Sequence, residues 1–547
     1  MMHRISWVLT LCFLMLVSPA SAQVSELWSA TYNGIGNGFD QIYAMVLDKD
    51  GNIYVTGSTY GGASSGVDMA TIKYNSAGDS LWVKTYNGTG SSTDIGRSIA
   101  VDTLGNVFVT GESRNGTSSG SEDFLTIKYS PSGDTAWTRR YNGPGNGGDF
   151  ATGLGLDDSG NVYVTGGSNG GATGNDITMI KYNTSGDEQW VRRFEGTANF
   201  GFSDWAYAIA VSPSGDAHAV GHADNLNEFW DFATVKYDRD GTKAWHKHYV
   251  GPVDNVSEQG EAITIDGAGN VYIAGSSNGP ASSTDIVTVK YNSAGTEQWN
   301  HRFDFQGAID DPKAIAVDGD GNVYVGGESG NNYVLIKYNA AGDSLWTRWY
   351  NGTANQTDQV YSIALNDAGE IYITGRSGGS GSGYDIVTIK YGAAGDSLWG
   401  VRYTGAGSAN DEATVVKTDG GGHIYVAGMS TVSGQSGNFY LVKYGESVAT
   451  SAGPSIAKQP SGFALRQNYP NPFNGITNLT VQLDRRSHMV LTVYDVLGRT
   501  IAVLADDVRE AGTHLFQWNS AAAPTGVYWY RLTSGERTET KMMMMVK

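Results

Sequence analysis

Cysteine is all but missing from this sequence. The single copy among 547 residues is Cys12, so nothing after it can form a disulfide, a thiol nucleophile or a cysteine metal site. Positive charge is scarce too. The 36 Lys and Arg against 55 Asp and Glu leave a net charge of −19, and a chain so poor in clustered cations does not neutralise nucleic-acid phosphates. Like charge in excess suits a soluble extracellular surface. Apolar runs long enough for a membrane helix are lacking. No Gly-x-Ser-x-Gly turn stands between a strand and a helix, and the run Gly378-Gly379-Ser380-Gly381-Ser382-Gly383 is loop low complexity.

What the chain has in excess is Gly, Tyr and Trp, at 75, 31 and 14 copies, a mixture suited to many short strands joined by tight turns. Its first 22 residues read as an export signal. Arg4 supplies the positive start, residues 7–17 are apolar, and Ala20-Ser21-Ala22 is a small-residue cleavage site.

From there to residue 446 a unit of about 53 residues recurs eight times. Its clearest phrase is GNIYVTG at 51–57, echoed as GNVFVTG at 105–111, GNVYVTG at 160–166 and GNVYIAG at 269–275. Each unit reads as four strands. In the first these are 42–48, 53–57, 68–74 and 81–86, with hairpin turns at 48–52 and 75–79. A tryptophan marks each fourth strand, at Trp28, Trp82, Trp137, Trp190, Trp245, Trp299, Trp346 and Trp399, and an aromatic follows four residues later on the same face. Four evenly spaced strands with a periodic Gly/aromatic motif predict a β-propeller blade. The tally predicts eight blades. The phase predicts more: the chain opens with a lone fourth strand, 27–32, and its last repeat stops after a third strand at Tyr444. The N-terminal strand is therefore expected to complete the last blade and close the ring. The repeated aromatics then fill the space between blades, and the long Gly/Ser-rich loops share one face, the expected functional surface.

The unit, through GNVYVTG at 160–166 and DIVTVKYNSAG at 285–295, resembles the bacterial β-propeller repeat family SBBP. The resemblance implies the fold and no particular reaction.

Catalytic residues cannot be singled out. Carboxylates are too numerous for a glycosidase pair to be picked. The turns Asp48-Lys49-Asp50-Gly51-Asn52 and Asp318-Gly319-Asp320-Gly321-Asn322 resemble the start of a calcium loop but lack its downstream glutamate. No cofactor or metal is expected, with calcium left open at such acidic turns. Acidic residues also precede first strands (Asp40, Asp94, Asp149, Asp204, Asp358) and third strands (Asp68, Asp123, Asp176, Asp231, Asp285, Asp385). These are expected to accept backbone N–H groups of their own loops, with cation binding as the alternative. The fourth repeat is atypical. Phe200, Phe202, Trp205, His222, Phe229 and Trp230 fall at or beside its long loops and form the expected ligand-binding set.

Periodicity ends after Tyr444. Residues 447–462 are small, polar and Pro-containing, a linker. Residues 463–547 then predict six or seven short strands in a small β-sandwich. This stretch resembles the type A C-terminal sorting domain of type IX secretion. The resemblance rests on Asn468, Tyr469, Pro470, Asn471, Pro472 and Phe473, on Asp495-Val496-Leu497-Gly498-Arg499, and on Gly526 with Tyr528. It implies transit through the periplasm, recognition by the secretion machinery, and a secreted or cell-surface product. The run Met542–Met545 predicts a loosely packed final strand. The functional expectation is a non-enzymatic module binding an extracellular polymer or protein. The alternatives are an extracellular carbohydrate-active enzyme and a purely structural surface-layer component.

Overall fold

A computed structural model describes residues 23–545, apart from 90–91, 117–119, 197–202, 225–229, 254–256, 280–282, 353, 382, 406–408, 432–435, 448–462, 466–467, 469–475, 484, 510–511, 521–522 and 536. The expected export signal and linker thus lie outside the described residues, apart from Ser447, which ends a strand. The chain divides into two compact units, residues 1–449 and 450–547. Among the described residues there are strands β1–β39, numbered in chain order, and no helix.

The first unit consists of four-stranded antiparallel sheets, the blades of a propeller. Seven are consecutive meanders: β2–β5 (41–86), β6–β9 (94–141), β10–β13 (150–194), β14–β17 (205–249), β18–β21 (259–303), β22–β25 (310–350) and β26–β29 (358–403). The eighth sheet orders β30 (Glu412–Thr418), β31 (Ile424–Thr431) and β32 (Gly437–Ser447), then takes β1 (Gln23–Tyr32) as its outer strand. Trp28 pairs with Lys443 and Tyr32 with Phe439.

The turns explain themselves chemically. Asp48 Oδ1 accepts the amides of Asp50 and Asn52, while Oδ2 accepts Asn52 Nδ2 at 2.7 Å and the Tyr54 hydroxyl at 2.9 Å. Burial would raise this carboxyl; the donors from Asn52, Tyr54 and Asp50 hold it below its usual value. Gly51 takes φ +76°, where a Cβ would be strained. The same set recurs around Asp157, Asp266 and Asp318. The carboxylates of Asp48 and Asp318 are therefore held by donors of their own turns. In the fourth sheet both ends change together: Ser212 replaces the turn Asp and His218 the Tyr.

Successive sheets are sewn together by repeated contacts. The indole N–H of Trp82 donates to the Pro131 carbonyl of the next sheet, Trp137 to Thr184, Trp190 to Arg239, Trp245 to Ser293 and Trp299 to Ala340. Trp28, on the eighth sheet, donates to Ser76 on the first at 3.1 Å. The acids before first strands do accept loop amides: Asp40 takes Gly34 N–H at 2.9 Å and Tyr60 N–H at 2.8 Å, and Asp149 takes Gly143 and Asn169. Several acids before third strands depart from expectation. Asp123, Asp176, Asp285 and Asp385 bind fourth-strand arginines, Arg140, Arg193, Arg302 and Arg402.

The second unit has two sheets. One contains β33 (Ala464–Leu465), β34 (Ile476–Leu483) and β37 (Gly512–Asn519); the other contains β36 (Thr500–Arg509), β35 (Ser487–Asp495), β38 (Gly526–Ser534) and β39 (Arg537–Met545). They share a core of Leu479, Val481, Leu491, Val493, Trp518, Tyr530 and Leu532. The methionine run does not loosen the last strand. Met543 and Met545 are buried while Met542 is exposed, the period-two alternation of a strand seated on a core. Of the expected sorting residues, Asn468 is buried, its backbone N–H donating to the Tyr530 hydroxyl and its Nδ2 to Thr477. Gly498 closes a tight turn at φ +76° on Asp495, Gly526 opens β38, and the Tyr528 hydroxyl donates to the Pro524 carbonyl. Tyr469, Pro470, Asn471, Pro472 and Phe473 lie outside the described residues.

Candidate functional site

The glycine that ends each GNVYVTG-type phrase is the key to the site. A Cβ on Gly57 would overlap the carbonyl oxygen of Gln41, one on Gly111 that of Ile95, one on Gly166 that of Phe150 and one on Gly428 that of Glu412. Gly221, Gly275, Gly327 and Gly375 meet the first strand in the same way. The close approach exists because every first strand carries a β-bulge there. Register slips between Ile42 and Ala44, Gly96 and Ser98, Ala151 and Gly153, Ala206 and Ala208, Gly260 and Ala262, Pro312 and Ala314, Val360 and Ser362, and Ala413 and Val415.

A bulge leaves one residue unpaired and re-aims its side chain. The eight bulged residues are Tyr43, Arg97, Thr152, Tyr207, Glu261, Lys313, Tyr361 and Thr414, each half-buried. They are of five kinds (Tyr, Arg, Thr, Glu and Lys) while the strand around them repeats. The residue after each glycine varies as well, giving Glu112, Gly167, His222, Glu328 and Arg376 among others.

Side chains from successive sheets meet here. The Arg97 guanidinium lies over the Tyr43 ring at 4.7 Å and grips Glu112 in two hydrogen bonds, of 2.7 and 3.1 Å. Burial works against the Arg97 charge; Glu112 more than restores it. Lys313 reaches Asp311 at 2.9 Å and Glu261 at 3.5 Å. Arg376 binds Glu412 at 2.9 Å and covers the Tyr384 ring at 4.6 Å. Burial raises the carboxyls of Glu261 and Glu328. A cavity of about 360 Å³ is lined by Tyr43, Arg97, Glu112, Phe150, Ala151, Thr152 and Trp205, drawn from four sheets. It combines aromatic faces with one bidentate ion pair, chemistry that could stack on an apolar face and hydrogen-bond a polar edge.

Three of the expected ligand residues, Trp205, His222 and Trp230, lie in strands rather than loops. Trp205 opens β14 (Trp205–Val211), faces Phe150 at 5.4 Å and lies flat over Gly167, where a Cβ would come within 2.7 Å of its ring. Trp230 opens β16 (Trp230–Tyr237) and stacks on His222 at 4.5 Å. Their places follow from pairing: Trp205 is opposite His222, and Trp230 opposite Asp224. His222 is 2 % exposed. Its Nε2–H donates to the Ser203 carbonyl, so Nδ1 accepts the Tyr207 hydroxyl at 3.0 Å. Burial pushes its pKa down to about 4. His222 is thus a neutral support for Tyr207 and Trp230. Phe200, Phe202 and Phe229 lie outside the described residues. The sequence reading missed Tyr43, Arg97 and Phe150. The signal for them was the recurrent strand glycine, which marks a bulge or a close backbone approach.

Residues 82–116, 136–171, 248–280 and 298–333 match the beta-propeller repeat model SBBP, and residues 467–547 match the secretion system C-terminal sorting domain. The chain carries SBBP propeller repeats and a sorting tail. That tail marks it for export by type IX secretion to the cell surface or extracellular space, and so for contact with the secretion machinery. No helix among the described residues is long and apolar enough to cross a membrane. The chain is 27% identical over 236 residues to the regulatory protein FlaEY of Caulobacter vibrioides, covering 38% of this chain and 24% of that protein. It therefore spans about a quarter of that relative's length. Among solved structures, a protein of unknown function from Bacteroides caccae is 12% identical with a TM-score of 0.31, covering 57% of this chain and 94% of its own. A fungal alcohol oxidase of the AA5 family, in complex with copper, is 10% identical with a TM-score of 0.38, covering 96% and 100%. Neither score bears on what this chain binds or catalyses.

Proposed function

We propose that this exported propeller is a non-enzymatic binding module that holds an extracellular polymer or protein at the cavity between Tyr43, Arg97, Phe150 and Trp205. Its scaffold is an eight-bladed ring spanning 23–446, closed by β1, between a signal peptide at 1–22 and a linker at 447–462 that leads to the sorting domain at 463–547. Closure is supported by the junction between the eighth and first sheets, which repeats the contacts of the others. There Trp28 reaches Ser76, Thr414 Oγ1 donates to the Ile42 carbonyl, and Asp40 N–H donates to Gly437.

The observation that carries the binding reading is the set of coincident bulges. Together they place half-buried side chains of five kinds, Tyr, Arg, Thr, Glu and Lys, on a scaffold that otherwise repeats. Scaffold needs would repeat the residue, whereas recognition of an irregular ligand needs it varied. Trp230, stacked on His222, extends this surface beyond Trp205. A glycan and peptide array probed with the whole protein and with Arg97→Ala and Trp205→Ala tests the reading. Expected is binding to one ligand class, lost at least tenfold in both variants while their melting points hold. Binding that both variants keep would refute the site.

The second reading is a carbohydrate-active enzyme. It draws on Glu261 and Glu328, whose burial keeps them protonated to higher pH, as a general acid requires. New reducing ends on incubation with a bound polysaccharide would select it. Neither binding nor turnover would leave a structural component.

A further inference from the structure

We propose that the junction between the fifth and sixth sheets carries a second binding site, where Phe305 and Trp349 form a platform that stacks on a ring of a neutral sugar chain. At three other junctions the same place is polar. Arg193, Arg302 and Arg402, each three residues after the tryptophan of its fourth strand, bind the third-strand carboxylates of Asp176, Asp285 and Asp385. Each also donates to a tyrosine hydroxyl of the preceding sheet, on Tyr141, Tyr249 and Tyr350. In the sixth sheet all three members change together. Trp349 stands for the arginine, Asn332 for the aspartate and Phe303 for the tyrosine, in an unchanged strand register.

Two further departures fall at the same spot. The second residue after the fourth strand is glycine at the other seven junctions, from Gly34 to Gly405. A Cβ on Gly34, Gly143 or Gly352 would come within 2.9 Å of a second-strand carbonyl, that of Tyr60, Asn169 or Gly378. Here the residue is Phe305. The hairpin beside it is cut short. Gly327 and Tyr338 are eleven positions apart, against sixteen for Gly275 and Tyr291 or Gly375 and Tyr391. Only Gly330 and Asn331 join β23 (Val323–Ser329) to β24 (Asn332–Tyr338), both at positive φ, +56° and +69°. The Phe305 ring lies beside Gly330, where a Cβ would touch it at 3.6 Å.

The trimmed hairpin leaves the rings open. Phe305 and Trp349 face each other at 5.3 Å and 42°, with Phe303 6.4 Å behind Trp349. Trp349 is 44 % exposed and Ile309, whose carbonyl accepts Gly330 N–H, is 57 % exposed. A tryptophan recruited only to fill space would bury its ring; this one offers it to solvent in a cluster with other apolar groups.

Charge selects the occupant. The guanidinium and carboxylate of the other junctions are both replaced by neutral side chains, so neither an anion nor a cation finds its counter-ion on the platform. Asp304 at the edge repels anions; it is exposed, where an ion pair adds little, and its Oδ1 already accepts Gly307 N–H at 2.8 Å. With the exposed Gln306 it supplies polar groups for hydroxyls. Aromatic faces with a polar edge match a pyranose, whose C–H face lies on a ring while its hydroxyls point outward.

The test is saturation-transfer NMR of the whole protein with neutral hexaoses of glucose and mannose, beside hexagalacturonate and hexalysine. Expected is binding of a neutral hexaose with a Kd on the order of 1 mM, and none of either charged hexamer. Phe305→Gly and Trp349→Thr each restore a residue the repeat uses elsewhere, Gly at seven junctions and Thr at Thr31 and Thr85. Both are expected to weaken the hexaose at least tenfold without lowering the melting point. No neutral hexaose bound at about 20 mM, equal binding by both variants, or preference for a charged hexamer would overturn the site. The Tyr43–Trp205 cavity is tested by other variants, so the two proposals fail separately.

Discussion

Gly166 lies directly under the carbonyl oxygen of Phe150, so close that no side chain fits between them. The contact joins the second strand of the third sheet to the bulge that turns out Thr152. Gly166→Ala should press the bulge flat or push the strands apart, at about 2 kcal/mol. Gly267→Ala is the control, because its Cβ would meet nothing within 4 Å. Urea melts are expected to separate the two variants, and ligand binding should fall only in Gly166→Ala.

Removal of residues 23–32 leaves β32 with an unpaired edge, since those residues supply its outer neighbour. Exposed strand edges recruit other chains. The truncated protein should melt at lower temperature and associate, as read by calorimetry and light scattering. A monomer with the melting point of the whole chain would contradict the proposed closure.

Acid stability carries contributions of both signs. Burial, against hydrogen bonds from Gly143, Ser168 and Asn169, raises the Asp149 carboxyl above its usual 3.8. The native state then binds that proton more tightly than the unfolded chain does. Its contribution is present below pH 3.8 and declines as pH rises through the raised value. Relative to Asp149→Asn, the native protein should therefore gain stability as pH falls toward 3.8. Melts of both proteins from pH 3 to 7 check the slope.

His222 acts in the opposite direction. Burial lowers it from 6.5 to about 4, so the unfolded chain binds the extra proton between those values. Stability from this group is full above pH 6.5 and declines as pH falls toward 4. His222→Gln can still donate to Ser203 and accept from Tyr207. It should flatten that decline, and NMR of the native protein should show the Nε2–H tautomer at neutral pH.

The strands were legible because their turns are built from local chemistry. Asp48, Gly51 and Asn52 specify a hairpin within five residues, and Trp28 with Tyr32 declares an outer strand lacking its sheet. The bulges were not legible in the same way. Tyr43 and Arg97 sit among half-buried positions where one inserted residue leaves the hydropathy pattern unchanged. What fixes them is the meeting of Gly57 and Gly111 with carbonyls sixteen residues back, a relation between strands. The sequence pattern puts Trp205 in a loop, whereas the structure has it open a strand. Its loop ends at Asp204, where the amide bonds to the Asn175 carbonyl and starts β14.

The sheet that contains β1 draws on both ends of the propeller sequence, 23–32 and 412–447. Its first strand is made first and must wait for the last repeat before it has a partner. Pairings so distant in sequence form slowly. Until residues 437–447 have been added, β1 has no strand to pair with, so seven sheets can be complete in sequence while the eighth is still missing its neighbour.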